Sequence, residues 1–159
     1  MKSEKQRELI DKYQKFFDHR ADKKIYTGEK PVMEEVAELS KQEEMIIPIQ
    51  FGFECGDGWF WLLNQLMGTI YSYCKWNDVE IPQVMQIKEK YGRLCFYISG
   101  GNDMINGMIW LAENMSRSIC ETCGSRINVG QTERWIYTIC ETCREGDSRA
   151  KELEWSPIT

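Results

Sequence analysis

Residues 120–143 read CETCGSRINVGQTERWIYTICETC, in which two C-x2-C pairs are separated by sixteen residues. Two thiolates that are separated by two residues can reach one ion from a tight turn, and two such turns complete a tetrahedral shell. Because four protein ligands leave no open coordination position, the spacing predicts one structural zinc ion rather than a catalytic one. The predicted ligands are Cys120, Cys123, Cys140 and Cys143.

Residues 120–159, called the metal module below, are expected to fold around this ion. Residues 126–129 and 134–139 can pair as a hairpin that brings the cysteine turns together, and residues 144–153 can continue as a helix. This order favours a treble clef, with a zinc ribbon as the alternative. A redox dithiol is less favoured, because neither cysteine pair lies in a thioredoxin-like βαβ context, and an iron–sulfur cluster is the remaining alternative.

The centre of the chain, residues 51–119, is expected to fold as a helix, a hairpin and a second helix. Apolar and polar residues alternate over residues 84–90 and 93–99, which is the period of strands with one buried face. Apolar residues recur every three or four positions over residues 59–73 and again over residues 102–119, which is the period of amphipathic helices. The predicted fold class is therefore α+β, with helices packed on a small antiparallel sheet.

Residues 1–50 are predicted to form a mostly helical arm. Ser3 is a candidate N-cap for a helix over residues 3–20. One face of that helix carries five apolar residues, which we expect to dock on the rest of the chain: Leu9, Ile10, Tyr13, Phe16 and Phe17. A second, acidic helix is expected to begin near residue 32, and a strand to cover residues 45–53.

The composition excludes several classes of protein. A hydrophobic content of 42% excludes wholesale disorder, and a net charge of −5 argues against a general polyanion binder. Seven cysteines without a signal peptide indicate reduced thiols and metal ligands, so we expect a cytoplasmic protein. No apolar run is long enough for a membrane span.

Two short segments are candidates for binding an anionic ligand. The hairpin tip carries Lys88, Lys90 and Arg93, which can contact phosphates, and Tyr91, which can stack on a base. The commoner interpretation of such a tip is a solvated strand face that keeps an edge from aggregating.

The second segment lies at the predicted start of a helix. Asp57, Gly58 and Trp59 stand where free backbone N–H groups favour anions. The favoured interpretation is structural, with Asp57 as the N-cap and Trp59 as the first core residue, because a carboxylate there competes with a bound anion.

Three motifs together carry a resemblance over about residues 50–145. They are Cys55-Gly56-Asp57-Gly58-Trp59, the hairpin sequence QIKEKYG at residues 86–92, and the C-terminal four-cysteine finger. This set resembles a family of small uncharacterised proteins from phages and prophages. The resemblance implies a phage or mobile-element origin, in which small accessory proteins often target host machinery or host defence.

We therefore expect a non-enzymatic, zinc-stabilised, phage-type binding protein of the bacterial host cytosol that acts in counter-defence or host takeover. It would engage a host protein or sequester a small anionic, nucleotide-like ligand. A nucleic-acid-associated regulator or nuclease helper is the alternative, which the acidic charge disfavours. An enzyme that uses Glu54, Cys55 and Asp57 around an added metal is a third hypothesis. The sole histidine, His19, is expected to be a solvated helix residue rather than a base.

Overall fold

The computed structural model describes residues 1–17 and 52–158. The second arm helix, His19 and all but the last two residues of the predicted strand 45–53 fall outside these described residues. Within them the chain is a mixed helix and sheet protein with two small sheets, one in the centre and one around the four cysteines. No helix in this part is long and apolar enough to cross a membrane.

The N-terminal segment forms a short helix that packs on its own chain. Helix α1 (Ser3–Lys12) is followed by one 3-10 turn at Gln14–Phe16. The predicted helix over residues 3–20 is therefore too long, because the N–H groups of Phe16 and Phe17 bond three residues back and tighten the last turn. All five apolar residues of its predicted face are buried in the main core, which confirms docking on the same chain.

The central sheet has the strand order β1–β2–β3, with β1 at Phe53–Glu54, β2 at Gln83–Lys90 and β3 at Arg93–Ser99. β2 and β3 form the predicted antiparallel hairpin, and the left-handed Tyr91 and Gly92 make its two-residue turn. β1 pairs with β2 in parallel, so the sheet is mixed rather than wholly antiparallel. The parallel pair arises because the chain crosses over through a helix between β1 and β2.

Two long helices complete the central core. Helix α2 (Phe60–Asn77) and helix α3 (Asp103–Ser116) pack against each other and on the inner face of the hairpin. α3 also lies along the free edge of β3, where the Ser116 hydroxyl accepts from Leu94 N at 2.9 Å. A side chain that satisfies an edge strand in this way removes a site of intermolecular pairing.

Of the helices α1, α2 and α3, only α3 begins with a side-chain cap, so the predicted caps Ser3 and Asp57 are wrong. The Asn102 side chain accepts from the backbone N–H of Ile105 at 3.1 Å, as expected of an N-cap. Ser3 is instead the first helical residue of α1, and no side chain caps that helix. Asp57 opens the 3-10 turn Asp57–Trp59 that leads into α2, and it too makes no capping bond.

The second sheet belongs to the metal module and has the order β5–β4–β6. β4 (Val129–Thr132) and β5 (Thr138–Cys140) form the predicted hairpin with bounds shifted toward the second cysteine turn. The predicted helix 144–153 is wrong: helix α4 (Glu141–Gly146) stops early, because the Asp147 carboxylate binds the N–H groups of Arg149 and Ala150. The chain then passes through a 3-10 turn and returns as β6 (Trp155–Pro157), which pairs with β4.

Several tryptophans lie on the surface, although their apolar character favours packing positions. Trp61, Trp110 and Trp135 are exposed over more than half of their surface. Trp61 stands on α2 beside the buried Leu62 and Leu63, on the side that turns away from the core. Trp76, the residue before the last one of α2, is also exposed.

Candidate functional site

The four predicted metal ligands come together. Their sulfur atoms all lie within 4.8 Å of one another, and the Cys123 and Cys140 sulfurs are 3.7 Å apart. Cys120 and Cys123 occupy the turn that follows α3, Cys140 ends β5, and Cys143 lies in the first turn of α4. This geometry confirms that the cluster can hold a metal ion.

The electrostatics of the cluster also fit a bound cation. Burial opposes ionisation of Cys120, but backbone N–H groups at Cys140, Cys123 and Thr122 outweigh it and lower the pKa of the Cys120 thiol. Burial raises the pKa of Cys140 and of Cys143, and hydrogen bonds with the Cys120 and Cys123 sulfurs raise both further. Hydrogen bonds with the backbone N–H and the sulfur of Cys143 oppose the shift at Cys140. Four thiolates at these separations repel one another, so a divalent cation is what allows all four to ionise.

The Cys55–Trp59 turn packs against the first cysteine turn and is hydrogen-bonded to it. Gly58 N donates to Glu121 O at 2.7 Å, and Gly56 N donates to a Glu121 carboxylate oxygen at 2.8 Å. A Cβ at Gly58 would lie 2.1 Å from Cys120 O, so only glycine fits there. Burial raises the pKa of the Glu121 carboxyl, although the Gly56 N–H opposes this shift.

The structure places Asp57, Gly58 and Trp59 in packing and pairing roles. Trp59 is fully buried, and its indole N–H donates to Ile119 O at 2.9 Å. The Asp57 carboxylate accepts from Lys2 N and lies 3.8 Å from the Lys5 ammonium nitrogen. A cavity of about 440 Å³ opens beside this turn, but its Lys5 is already engaged by Asp57.

The hairpin tip, by contrast, borders an open groove of about 460 Å³. We call it the basic groove; its lining residues come from β2, β3, the end of α3 and the metal module: Lys90, Tyr91, Arg93, Cys95, Tyr97, Arg117, Gln131 and Ile136. Lys90, Tyr91 and Arg93 of the predicted site are thus brought together. Lys88 lies two residues before Lys90 in β2, on the same sheet face, and its side-chain nitrogen is 5.5 Å from the centre of the Tyr97 ring.

The cations of the basic groove are unpaired within the described part of the chain. There, no carboxylate oxygen lies within 4.0 Å of a side-chain nitrogen of Lys90, Arg93 or Arg117. The nearby acids are bound to the backbone: Glu89 accepts from Gly92 N at 2.6 Å, and Glu113 accepts from Phe96 N at 3.0 Å. The cations are therefore available to an anion in the groove.

Two tyrosines flank these cations. Tyr91 is exposed over 74% of its surface and Tyr97 over 45%, and one face of each ring lies under a lysine ammonium, that of Lys90 over Tyr91 and that of Lys88 over Tyr97. A hydrogen bond with Cys95 is the main cause that raises the pKa of the Tyr97 phenol, so the phenol stays neutral. The groove thus offers three positive charges and two aromatic faces.

Sequence reasoning missed the far wall of the basic groove. Arg117 follows the last turn of α3, and Gln131 and Ile136 come from the metal module. A single basic residue after an amphipathic helix is common, so Arg117 carried no distinguishing signal. The convergence depends on how the hairpin tip packs against β4 and β5, which a local pattern does not reveal.

The residues of the enzyme hypothesis are each engaged separately. Glu54 accepts from the Gln86 side chain at 3.1 Å, and Asp57 pairs with lysines. Cys55 is buried, and this burial raises the pKa of its thiol to about 12. A thiol with such a pKa is not a nucleophile near neutral pH.

No protein-family model, curated protein or solved structure matches the chain. Function is therefore inferred from the metal cluster and the basic groove themselves.

Proposed function

We propose that this chain is a zinc-stabilised binding protein that holds a small anionic, nucleotide-like ligand in the basic groove. The observation that carries the proposal is the convergence of Lys90, Arg93 and Arg117 on one groove without carboxylate partners among the described residues. Guanidinium groups bind phosphate oxygens in bidentate geometry, and the tyrosine rings beside them offer stacking surfaces for a base.

The dimensions of the groove favour a small ligand over a polymer. Its volume of about 460 Å³ lies in the range of roughly 300–1,000 Å³ that is typical of small-molecule sites. A nucleic-acid surface needs cations that follow many phosphates, whereas the metal module carries seven acidic and five basic side chains. Zinc bound by four thiolates adds further negative charge to that module.

We propose zinc as the metal and a treble clef as the fold around it. A cysteine turn, the β4–β5 hairpin and a second cysteine turn that opens α4 follow one another in the treble-clef order. Four cysteine ligands are the typical structural zinc set, and they close the coordination shell. β6 adds a third strand to this sheet, and a three-stranded sheet is also compatible with a zinc ribbon.

The metal proposal predicts a stoichiometry and a loss of stability. Native mass spectrometry should find one zinc ion per chain, and a chelator should lower the thermal stability of the metal module. The small core of that module includes two of the ligands, Cys120 and Cys140, so little else holds it together. A chain that is equally stable after complete metal removal would contradict a structural role for the ion.

The biological role that we propose follows the resemblance to phage proteins. Sequestering a host nucleotide in counter-defence needs binding alone, which is consistent with a closed metal site and with separately engaged Glu54, Cys55 and Asp57. The alternative role is to bind a host protein through the surface that contains the basic groove. Either activity would take place in the bacterial cytosol.

Binding measurements with matched variants test the ligand proposal. Mononucleotides, cyclic nucleotides and pyrophosphate would be titrated into the chain by calorimetry. Arg117→Ala removes one charge-assisted contact worth about 1.5–3 kcal/mol, so affinity should fall roughly tenfold to a hundredfold. Lys75→Ala removes an exposed cation from α2, away from the groove, and should leave affinity unchanged. Equal losses in both variants, or no binding at all, would refute the proposal.

The second candidate function is a nucleic-acid-associated regulator. It is favoured by the high exposure of Tyr91 and by Lys88, which extends the cationic surface along the sheet beyond the groove. This function predicts oligonucleotide binding whose salt dependence weakens in a Lys88→Ala variant. Tight mononucleotide binding without oligonucleotide binding at low salt would exclude it.

A further inference from the structure

The basic groove is built from two separate parts of the chain. Lys90, Arg93 and Arg117 come from the central core, whereas Gln131 and Ile136 belong to the metal module. The shape of the groove therefore depends on how these two parts are held together.

The hairpin turn makes the contact between them at Gly92. Its carbonyl oxygen accepts a bond of 2.5 Å from the Thr138 hydroxyl and a longer one of 3.5 Å from the Gln131 amide. A Cβ at Gly92 would lie 2.7 Å from Ile136 Cγ2 and 2.9 Å from the Thr138 hydroxyl oxygen. Both sides are thus in close contact, and Thr138 is almost completely buried.

The metal cluster positions Thr138. This residue lies two positions before Cys140 in β5, and its carbonyl accepts from the N–H of Glu121, which follows Cys120. Ligands from both cysteine turns therefore flank the residue that holds the hairpin tip. Its hydrophobic cluster has only five buried residues, two of them ligands, so the module depends on the ion to keep this arrangement.

We propose that metal occupancy of the four-cysteine cluster controls ligand affinity in the basic groove. The inference rests on the proposed anion-binding function and adds its regulation. With the metal bound, Thr138 and Gln131 hold the hairpin turn and Ile136 closes the groove. Without it, Lys90 and Arg93 remain on β2 and β3, but the wall opposite them is lost. Because such coupling is reciprocal, a bound anion raises metal affinity by the same factor.

The experiment compares the zinc-loaded and chelator-stripped full-length chain, with pyrophosphate and ADP as probes. We expect the affinity for at least one probe to fall tenfold or more on stripping, while circular dichroism retains the signal of the central helices. In the same samples, hydrogen exchange should show faster exchange of the amides around Gly92 after stripping. This second readout needs no ligand and reports the coupling directly.

Two matched substitutions separate coupling from a general loss of stability. Thr138→Val removes the bond to Gly92 and the bond that the hydroxyl accepts from the Gln131 amide. Thr132→Val also removes two bonds, one to Trp135 O and one from Tyr137 N, but both stay inside the module. In zinc-loaded protein, Thr138→Val should weaken probe binding about threefold to tenfold, the effect of losing the one Thr138 bond that joins the metal module to the hairpin turn. Thr132→Val should leave probe affinity unchanged, and metal analysis would verify one zinc ion in each variant.

The outcomes distinguish the two proposals. If neither probe nor any nucleotide binds the zinc-loaded chain, the proposed function fails, and the exchange of the hairpin amides still decides whether the metal cluster holds the hairpin turn. If a probe binds equally well with and without zinc, or if Thr138→Val and Thr132→Val behave alike, the coupling is refuted while the binding function stands. Unchanged exchange around Gly92 on stripping would also refute it.

Discussion

Replacing Gly58 with alanine should destabilise the chain and weaken its hold on the metal. The added methyl group would lie 2.1 Å from Cys120 O and 2.5 Å from Gly124 N, both backbone atoms of the first cysteine turn. An ordinary contact begins at 3.4 Å, so the turn must move by more than an ångström. That shift also breaks the 2.7 Å bond from Gly58 N to Glu121 O.

The expected cost combines steric overlap with the lost bond. Overpacking typically costs about 1–3 kcal/mol, and a backbone hydrogen bond contributes about 1 kcal/mol, so the free energy of unfolding should fall by about 2–4 kcal/mol. The φ angle of Gly58 is one that alanine can adopt, so no backbone strain is added. Zinc release to a competing chelator should be faster, because the displaced turn carries Cys120 and Cys123.

Gly107→Ala is the matched control for this substitution. Gly107 lies within α3, and a Cβ there meets nothing within 4 Å, so the change should stabilise the chain by up to about 1 kcal/mol. Urea unfolding at fixed free zinc would be followed by circular dichroism and tryptophan fluorescence. If Gly58→Ala unfolds within about 0.5 kcal/mol of the unsubstituted chain and releases zinc at the same rate, the close packing inferred here is refuted.

Two further predictions test the core. Ser116→Ala should lower the free energy of unfolding by about 1–3 kcal/mol, because it leaves the buried Leu94 N–H without its acceptor, whereas exposed Ser118→Ala should change it by less than about 0.5 kcal/mol. Comparable losses in the two variants would argue against edge capping. In the folded chain at about pH 8, Cys55 should resist iodoacetamide, because burial raises the pKa of its thiol to about 12. After unfolding in urea it should react. Rapid native labelling, counted by intact mass, would contradict its burial.

Local sequence patterns predicted the elements whose structure is determined by residues close to one another in the sequence. The β2–β3 hairpin agrees with its alternation and its Tyr91-Gly92 turn, and the cysteine cluster agrees with its spacing. Both patterns act within short stretches, so no knowledge of the tertiary fold was needed. The parallel pairing of β1 and the return of β6 to β4 depend on distant contacts, and neither was predicted.

The Cys55–Trp59 turn shows why a motif alone did not identify its role. Its glycines and its aspartate are what a ligand loop or a packing turn would both require. The distinction comes from Gly58, whose missing side chain admits the backbone of the first cysteine turn, a contact between residues sixty positions apart. The motif and the finger are therefore parts of one structural unit.

Whether the cations of the basic groove are free of ion pairs depends on how nearby acids are bonded, and the net charge of −5 does not reveal it. Glu89 and Glu113 lie close to the groove, but their carboxylates accept hydrogen bonds from the backbone of the hairpin turn and of the β3 edge. Directed into the groove, they would pair with Arg93 or Arg117 and cancel the attraction for an anion. Each carboxylate keeps its negative charge, and that of Glu113 acts on Tyr97 in the groove, but neither acid forms an ion pair with a groove cation. Backbone hydrogen bonding thus leaves the groove cations without a carboxylate partner among the described residues, which composition alone could not show.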